Sequence, residues 1–217
     1  MINIFSEGGL VQFLYLLPAL ALSLAIHEFG HAIVAYKLGD KSQKALGRLT
    51  IAPFAHIDIL GFISMMLIGI GWGKPVMVDD RNFKKRGLGN ALVSVAGPAF
   101  NLALALIITI ILKICLVFGA GEWFMTNNIG NIIYVIIQYT IIYNVSFALF
   151  NLIPLPPFDG SKVLYYFLPY NAKKWMDKLE RYAIYIVAFI FITDIYWYIS
   201  APAYAGIFWL LNLILAL

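Results

Sequence analysis

Residues 10–36 read LVQFLYLLPALALSLAIHEFGHAIVAY, an apolar run with no lysine or arginine and one carboxylate, Glu28. A helix needs ~20 mostly apolar residues to cross the hydrocarbon of a bilayer, so this run is long enough to span. Working outward, further long apolar stretches lie at about 91–118, 129–153, 182–199 and 203–217. The last two are short or interrupted, with Pro202 between them. A shorter run at about 59–70, with Gly61, Gly69 and Gly71 in or beside it, is too short to span and reads as re-entrant or interfacial.

Hydrophobic residues make up 62% of the 217-residue chain and charged residues 12%, with a mean hydropathy of +0.86. Surface-to-volume scaling gives a soluble chain of this size too little interior to hide so much apolar surface. The bulk of the chain therefore belongs in lipid, and a soluble globular protein is excluded. The single cysteine, Cys115, cannot form an intrachain disulfide and reads as a small buried hydrophobe. Ala19-Leu20-Ala21 resembles a signal-peptide cleavage site. No lysine or arginine precedes it, however, and Glu7 sits where a positive charge is needed, so the first span reads as uncleaved.

The formal charge of +4 is unevenly placed. Lys37, Lys41, Lys44 and Arg48 form one group. Lys74, Arg81, Lys84, Lys85 and Arg86 form a second, and Lys162, Lys173, Lys174, Lys178 and Arg181 a third. Only Lys113 stands apart, near the far end of a span where it can snorkel. The cations are therefore topology signals, and no nucleic-acid partner is expected. The positive-inside rule puts the three groups in the cytosol and the N-terminus outside. The first two groups must share a side, so the chain between them dips in and returns. Residues 46–60 and 71–78 look extended, with β-branched residues broken by Pro53. The aromatics Tyr196, Trp197, Tyr198 and Trp209 suit interfacial belts. The expected fold is an all-α polytopic membrane protein with about five transmembrane helices, plus a re-entrant or interfacial segment with short β-strands. It forms one membrane-embedded domain over 1–217, with its core at about 10–165 and C-terminal helices at about 178–217.

The first span also carries chemistry. His27-Glu28-Phe29-Gly30-His31 is an H-E-x-x-H pattern. Histidines at i and i+4 project from one helix face and can share a zinc ion at ~2.0–2.1 Å from each ring nitrogen. Glu28 sits beside them, where it can take a proton from water. His27 lies ~15 Å deeper than Lys37 at ~1.5 Å per residue. An ionisable group at such depth costs ~2.5–3.5 kcal/mol on insertion scales for Asp, Lys or Arg, and metal coordination offsets that cost. A catalytic zinc needs a third protein ligand and an open position. His56, Asp58, Asp159 and Asp194 are candidates, and spacing alone does not choose among them. Asp159 has the best setting, because Pro154, Pro156 and Pro157 break the chain before it and can aim it inward.

H-E-F-G-H in one span, with Asn151-Leu152-Ile153-Pro154-Leu155-Pro156-Pro157-Phe158-Asp159-Gly160 in a later one, resembles the site-2 protease family of intramembrane metalloproteases. Gly97-Pro98-Ala99-Phe100-Asn101 is similar to that family's glycine-proline segment, and Gly71-Trp72-Gly73-Lys74-Pro75-Val76 to a stretch of its compact members. The resemblance covers about residues 20–165, without a PDZ or CBS module. It implies one zinc ion held by His27, His31 and Asp159, with Glu28 as catalytic base and Asn151 as a donor to the scissile carbonyl or the oxyanion. It also implies transmembrane proteins or peptides as substrates, and a prokaryotic cell membrane is expected. The breaks that carry both motifs lie toward the basic groups, so the site is expected to open to the cytosol. From the residues themselves, Asn101 and Asn144 read first as interhelical hydrogen-bond glue and Gly97 as a close-packing position. His56 and Asp58 read as structural or as tuning the metal, and Asp194 as an interfacial polar group. The alternative function is a membrane metal-binding protein or transporter without protease activity, which could dispense with Glu28 as a base.

Overall fold

Gly9–Leu38 forms a 30-residue helix, α1, which continues through Pro18. After it come a single turn, α2 (Ser42–Ala45), 3-10 turns at Pro53–Ala55 and Asp80–Asn82, and, among the described residues between those turns, helical backbone at 59–61 and 64. Then follow α3 (Arg86–Val117), α4 (Ala120–Thr126), α5 (Asn128–Asn151), α6 (Asp159–Phe167), α7 (Tyr170–Glu180), α8 (Ala183–Ile192) and α9 (Ile195–Ala216). The computed structural model describes residues 9–61, 64, 72–193 and 195–216. The expectations resting on Glu7, Gly69, Gly71, Asp194 and most of the short apolar run lie outside those residues.

Among the described residues the regular structure is all α. Three of its helices, α1, α3 and α5, are long and apolar enough to cross a membrane. They pack on one another as the central unit. α3 runs antiparallel to α1, since Val93 meets His31 while Asn101 meets Ser23. α5 runs parallel to α1, with Asn144 at Ser23 and Phe147 against His27. The shared faces carry small residues, including Ala19, Ala25, Ala32, Ala35 and Ala96, which let the helices approach closely. Outward, α3 leaves Ile107, Ile110, Ile111, Ile114 and Val117 exposed, an apolar wall suited to lipid.

The loop between α1 and α3 departs from the expected short strands. Among the described residues it holds one isolated antiparallel bridge, Ile57 with Gly73, supported by Lys74 N–H donating to the His56 carbonyl at 2.7 Å. Beyond Lys74 the backbone is held by side chains instead of a neighbouring strand. Arg48 donates to the Pro75 carbonyl and Gln43 to the Met77 carbonyl. Asp40, fully buried, accepts from Asp79 N–H at 2.8 Å and from Ser42 N–H at 3.0 Å. These contacts lay residues 40–48 against 75–79, so the first two basic groups share one side.

The C-terminal part also differs from the sequence reading. Pro202 lies inside α9, and the described helices instead end at Ile192 and begin again at Ile195. A proline within a helix gives up one donor, and in lipid-embedded helices neighbouring groups can re-satisfy the freed carbonyl. α8 has ten residues, or ~15 Å, about half of the ~30 Å hydrocarbon thickness. Lys113, near the far end of α3, donates to the Leu215 carbonyl at 2.9 Å. Leu211 packs with Ala105, Leu112 and Ile141. α9 therefore runs in the same direction as α3, and its end reaches the Lys113 side.

Candidate metal centre

The helical spacing of His27 and His31 brings both rings to one face of α1, where they pack edge to face with centroids 4.6 Å apart. Both are buried, and their Nε2 atoms are 3.0 Å apart. Asp159 opens α6, immediately after the proline-broken exit from α5. Its Oδ2 lies 3.2 Å from His27 Nε2 and 3.0 Å from His31 Nε2. The three atoms make a nearly equilateral triangle contributed by two elements 132 residues apart in sequence.

The other sides of these groups are already engaged. His31 Nδ1 is 2.7 Å from the Val93 carbonyl, which can only accept, so Nδ1 carries the proton and Nε2 presents a lone pair. His27 Nδ1 is 2.8 Å from Asn101 Oδ1. The second oxygen of Asp159 faces Lys162 Nζ at 3.5 Å, one helical turn along. Unshared electron pairs thus converge in a buried space, an arrangement that repels unless a cation joins it. Four-coordinate zinc with bonds of ~2.0–2.1 Å spaces its ligand atoms ~3.3 Å apart. The observed edges of 3.0–3.2 Å and the two-nitrogen, one-oxygen donor set fit that ion.

Two glycines make this geometry possible. A Cβ on Gly97 would stand 2.6 Å from His31 Nε2 and 2.7 Å from His27 Cε1, so α3 can face the imidazoles only where it carries no side chain. A Cβ on Gly160 would meet the Leu152 carbonyl oxygen at 2.2 Å, so glycine lets the start of α6 press against the end of α5 and carry Asp159 inward.

Of the candidate third ligands, Asp159 alone among the described residues joins the histidines. His56 is fully buried and its Nε2 faces the Thr50 carbonyl at 2.9 Å. Asp58 caps a turn by accepting from Gly61 N–H at 2.9 Å. Glu28 is half-buried, and its Oε2 accepts from the Val76 N–H at 2.9 Å, so the extended stretch 72–79 reaches over it. Asn151 donates at 3.0 Å to the Phe147 carbonyl on its own helix. The roles of Gly97 beside the rings, of Lys162 and of the Val76 amide were not legible in the sequence. The glycine reads as packing, the lysine as a topology charge, and a backbone N–H carries no residue identity.

With that geometry in place, the chain can be set beside known proteins. The model of peptidase family M50 matches residues 15–193. YwhC of Bacillus subtilis is 37% identical over 191 residues, covering 87% of this chain and 84% of that protein. MJ0611 of Methanocaldococcus jannaschii is 30% identical over 156 residues, 72% of each chain. Rip2 of Mycobacterium tuberculosis is 24% identical over 205 residues, covering 93% of this chain and 74% of Rip2. All three carry zinc metalloprotease names. No solved structure matches.

Proposed function

We propose that this chain, which belongs to peptidase family M50, cleaves transmembrane segments of membrane proteins within or beside the bilayer. It is a zinc metalloprotease and an integral membrane protein of bacterial type. Family membership sets aside the metal-transport alternative. The observation that carries the reading is the buried triangle of His27 Nε2, His31 Nε2 and Asp159 Oδ2, which we assign as the protein ligands of one zinc ion.

When bound, the zinc supplies Lewis acidity, which polarises the scissile carbonyl and makes water a better acid. The chain's own groups do the rest. Glu28 accepts the proton of the attacking water and returns it to the leaving amine. To act on substrate, Asn151 rotates away from the Phe147 carbonyl and donates to the oxyanion. Lys162 holds the outer oxygen of Asp159 and leaves Oδ2 to the metal. Peptide carbonyls in an intact helix are already hydrogen-bonded, so a helical substrate must unwind before attack. The stretch 74–78 offers backbone for the unwound segment to pair with.

The site opens to the cytosol, on the side of the three basic groups, with the N-terminus outside. Against the expected five spans, we read α9, 22 residues long, as a fourth crossing and the ten-residue α8 as too short to cross, so the end of α9 lies outside. An Ala216→Cys variant lacking Cys115 should react with a membrane-impermeant thiol reagent added to intact cells. Labelling only after permeabilisation would reject four crossings.

The activity is tested with purified protein, a model transmembrane substrate and metal analysis. Chelation should abolish cleavage and stoichiometric zinc should restore it. Asn151→Ala should keep its zinc and lose ~10²–10³ in kcat, the usual cost of one oxyanion donor. Zinc-free protein that cleaves at the full rate would end the proposal.

A further inference from the structure

We propose that Asn101 and Asn144 fix the tautomer of His27, so that its Nε2 keeps a bare lone pair for the metal. This rests on the zinc reading above and assigns both asparagines a task beyond joining helices.

The argument starts from groups whose polarity cannot change. The carbonyl oxygens of Ser23 and Thr140 are acceptors only. Asn144 stands 2.8 Å from Thr140 O, so the atom facing that oxygen must be its NH2. The same NH2 reaches Ser23 Oγ at 2.8 Å, and that hydroxyl donates onward to Ala19 O at 2.8 Å. Asn144 Oδ1 is thereby turned to Asn101, which meets it with Nδ2 at 2.7 Å. The second proton of that Nδ2 goes to Ser23 O at 2.9 Å. Two independent acceptors thus hold the Asn101 amide in one orientation, and its Oδ1 has one direction left, toward His27 Nδ1 at 2.8 Å.

In the neutral ring an acceptor at Nδ1 puts the imidazole proton there and leaves Nε2 with its lone pair, 3.2 Å from Asp159 Oδ2. Ser23, Asn101 and Asn144 are fully buried, so no water can compete for these bonds. Turning either amide over would set oxygen against oxygen at a backbone carbonyl. The network therefore transmits the fixed polarity of two helix backbones, α1 and α5, to a ring nitrogen on α1. Asn101 is a positioning residue, one group removed from the ion, and Asn144 is two groups removed.

The test uses full-length protein in detergent or nanodiscs. In zinc-free wild type, nitrogen-15 NMR of the imidazoles should find His27 protonated at Nδ1 and bare at Nε2, with His56→Gln aiding assignment. A neutral His27 ring bare at Nδ1 and protonated at Nε2 would overturn the inference without needing any variant to fold. Asn101→Leu removes the acceptor and should weaken zinc binding 10–100-fold by chelator competition, the usual cost of losing such a partner. Asn101→Asp keeps an acceptor toward Nδ1 while losing both donated bonds, so it should bind zinc more tightly than Asn101→Leu. Mere helix cement predicts the reverse order, because a buried aspartate facing Ser23 O holds the helices worse than leucine. Zinc affinity of Asn101→Leu within threefold of wild type would overturn the inference and leave the metalloprotease reading intact. Wild-type protein that retains no zinc would overturn both.

Discussion

Glu28→Gln should retain zinc at the wild-type level and cleave a model transmembrane substrate ~10²–10⁴-fold more slowly, the range that positioned acid–base groups contribute. The substitution isolates the base for a structural reason. The Glu28 carboxylate bonds to the Val76 amide at 2.9 Å, and a glutamine oxygen can accept that bond in the same place. The stretch 72–79 keeps its hold, and the ligand triangle, built from His27, His31 and Asp159, loses nothing. What disappears is the capacity to take a proton from water and return it to the amine. The paired readouts are zinc per mole of protein and initial cleavage rate. Zinc retention with cleavage within tenfold of wild type would remove Glu28 from the mechanism, and another group would have to serve as base.

The Val76 contact also bears on how a substrate reaches the site. The amide that holds Glu28 belongs to the segment proposed to pair with unwound substrate. On the opposite side, the backbone of that segment is occupied at Pro75, Met77 and Asp79 by Arg48, Gln43 and Asp40. In an extended chain alternate residues present their backbone groups to opposite sides. The odd-numbered positions are tied to the α1–α2 region, while among the even-numbered ones the Lys74 amide is bonded to the His56 carbonyl and the Val76 amide to Glu28. A substrate segment pairing with this stretch therefore competes with Glu28 for the Val76 amide.

Much of the site could be read from residue types because its chemistry is specific. Two histidines one turn apart in lipid need a metal, and three prolines before Asp159 make a break that can turn inward. Apolar length predicted α1, α3 and α5 because hydropathy integrates over many positions. What escaped depends on distant neighbours. The alternation in 46–60 suggested strands, but Pro53 starts a 3-10 turn, and the Thr50 hydroxyl and the His56 ring take up the backbone amide of Ala52 and the carbonyl of Thr50. Pro202 suggested a break because proline removes a donor, yet α9 continues past it. Asn101 and Asn144 were read correctly as bonds between helices, but the direction of those bonds, which the ring nitrogen senses, appears only when the carbonyls of Ser23 and Thr140 are in view.

Gly97 gives the sharpest separation between packing and chemistry. Gly97→Ala should lose zinc affinity on the order of 100-fold, at or beyond the upper end of what displaced partner groups cost, while the protein stays folded. The added methyl would stand 2.6 Å from both Cε1 and Nε2 of His31 and 2.7 Å from Cε1 of His27, closer than carbon and nitrogen atoms can approach. The rings cannot swing aside freely. His31 is tied to the Val93 carbonyl, on the same helix one turn before Gly97, so the element that pushes the ring also holds it. His27 is tied to Asn101, one turn after. Helix propensity acts in the opposite direction, since alanine is favoured over glycine by ~1 kcal/mol within a helix interior. If Gly97 served only the approach of α1 and α3, alanine would loosen the helix pair and lower the thermal midpoint, with any metal loss tracking unfolding. The local clash instead predicts zinc loss at temperatures far below the unchanged or only slightly shifted midpoint. Zinc titration and a melting curve on the same preparation distinguish the two, and a variant that binds zinc normally would mean that the imidazoles can shift away from α3.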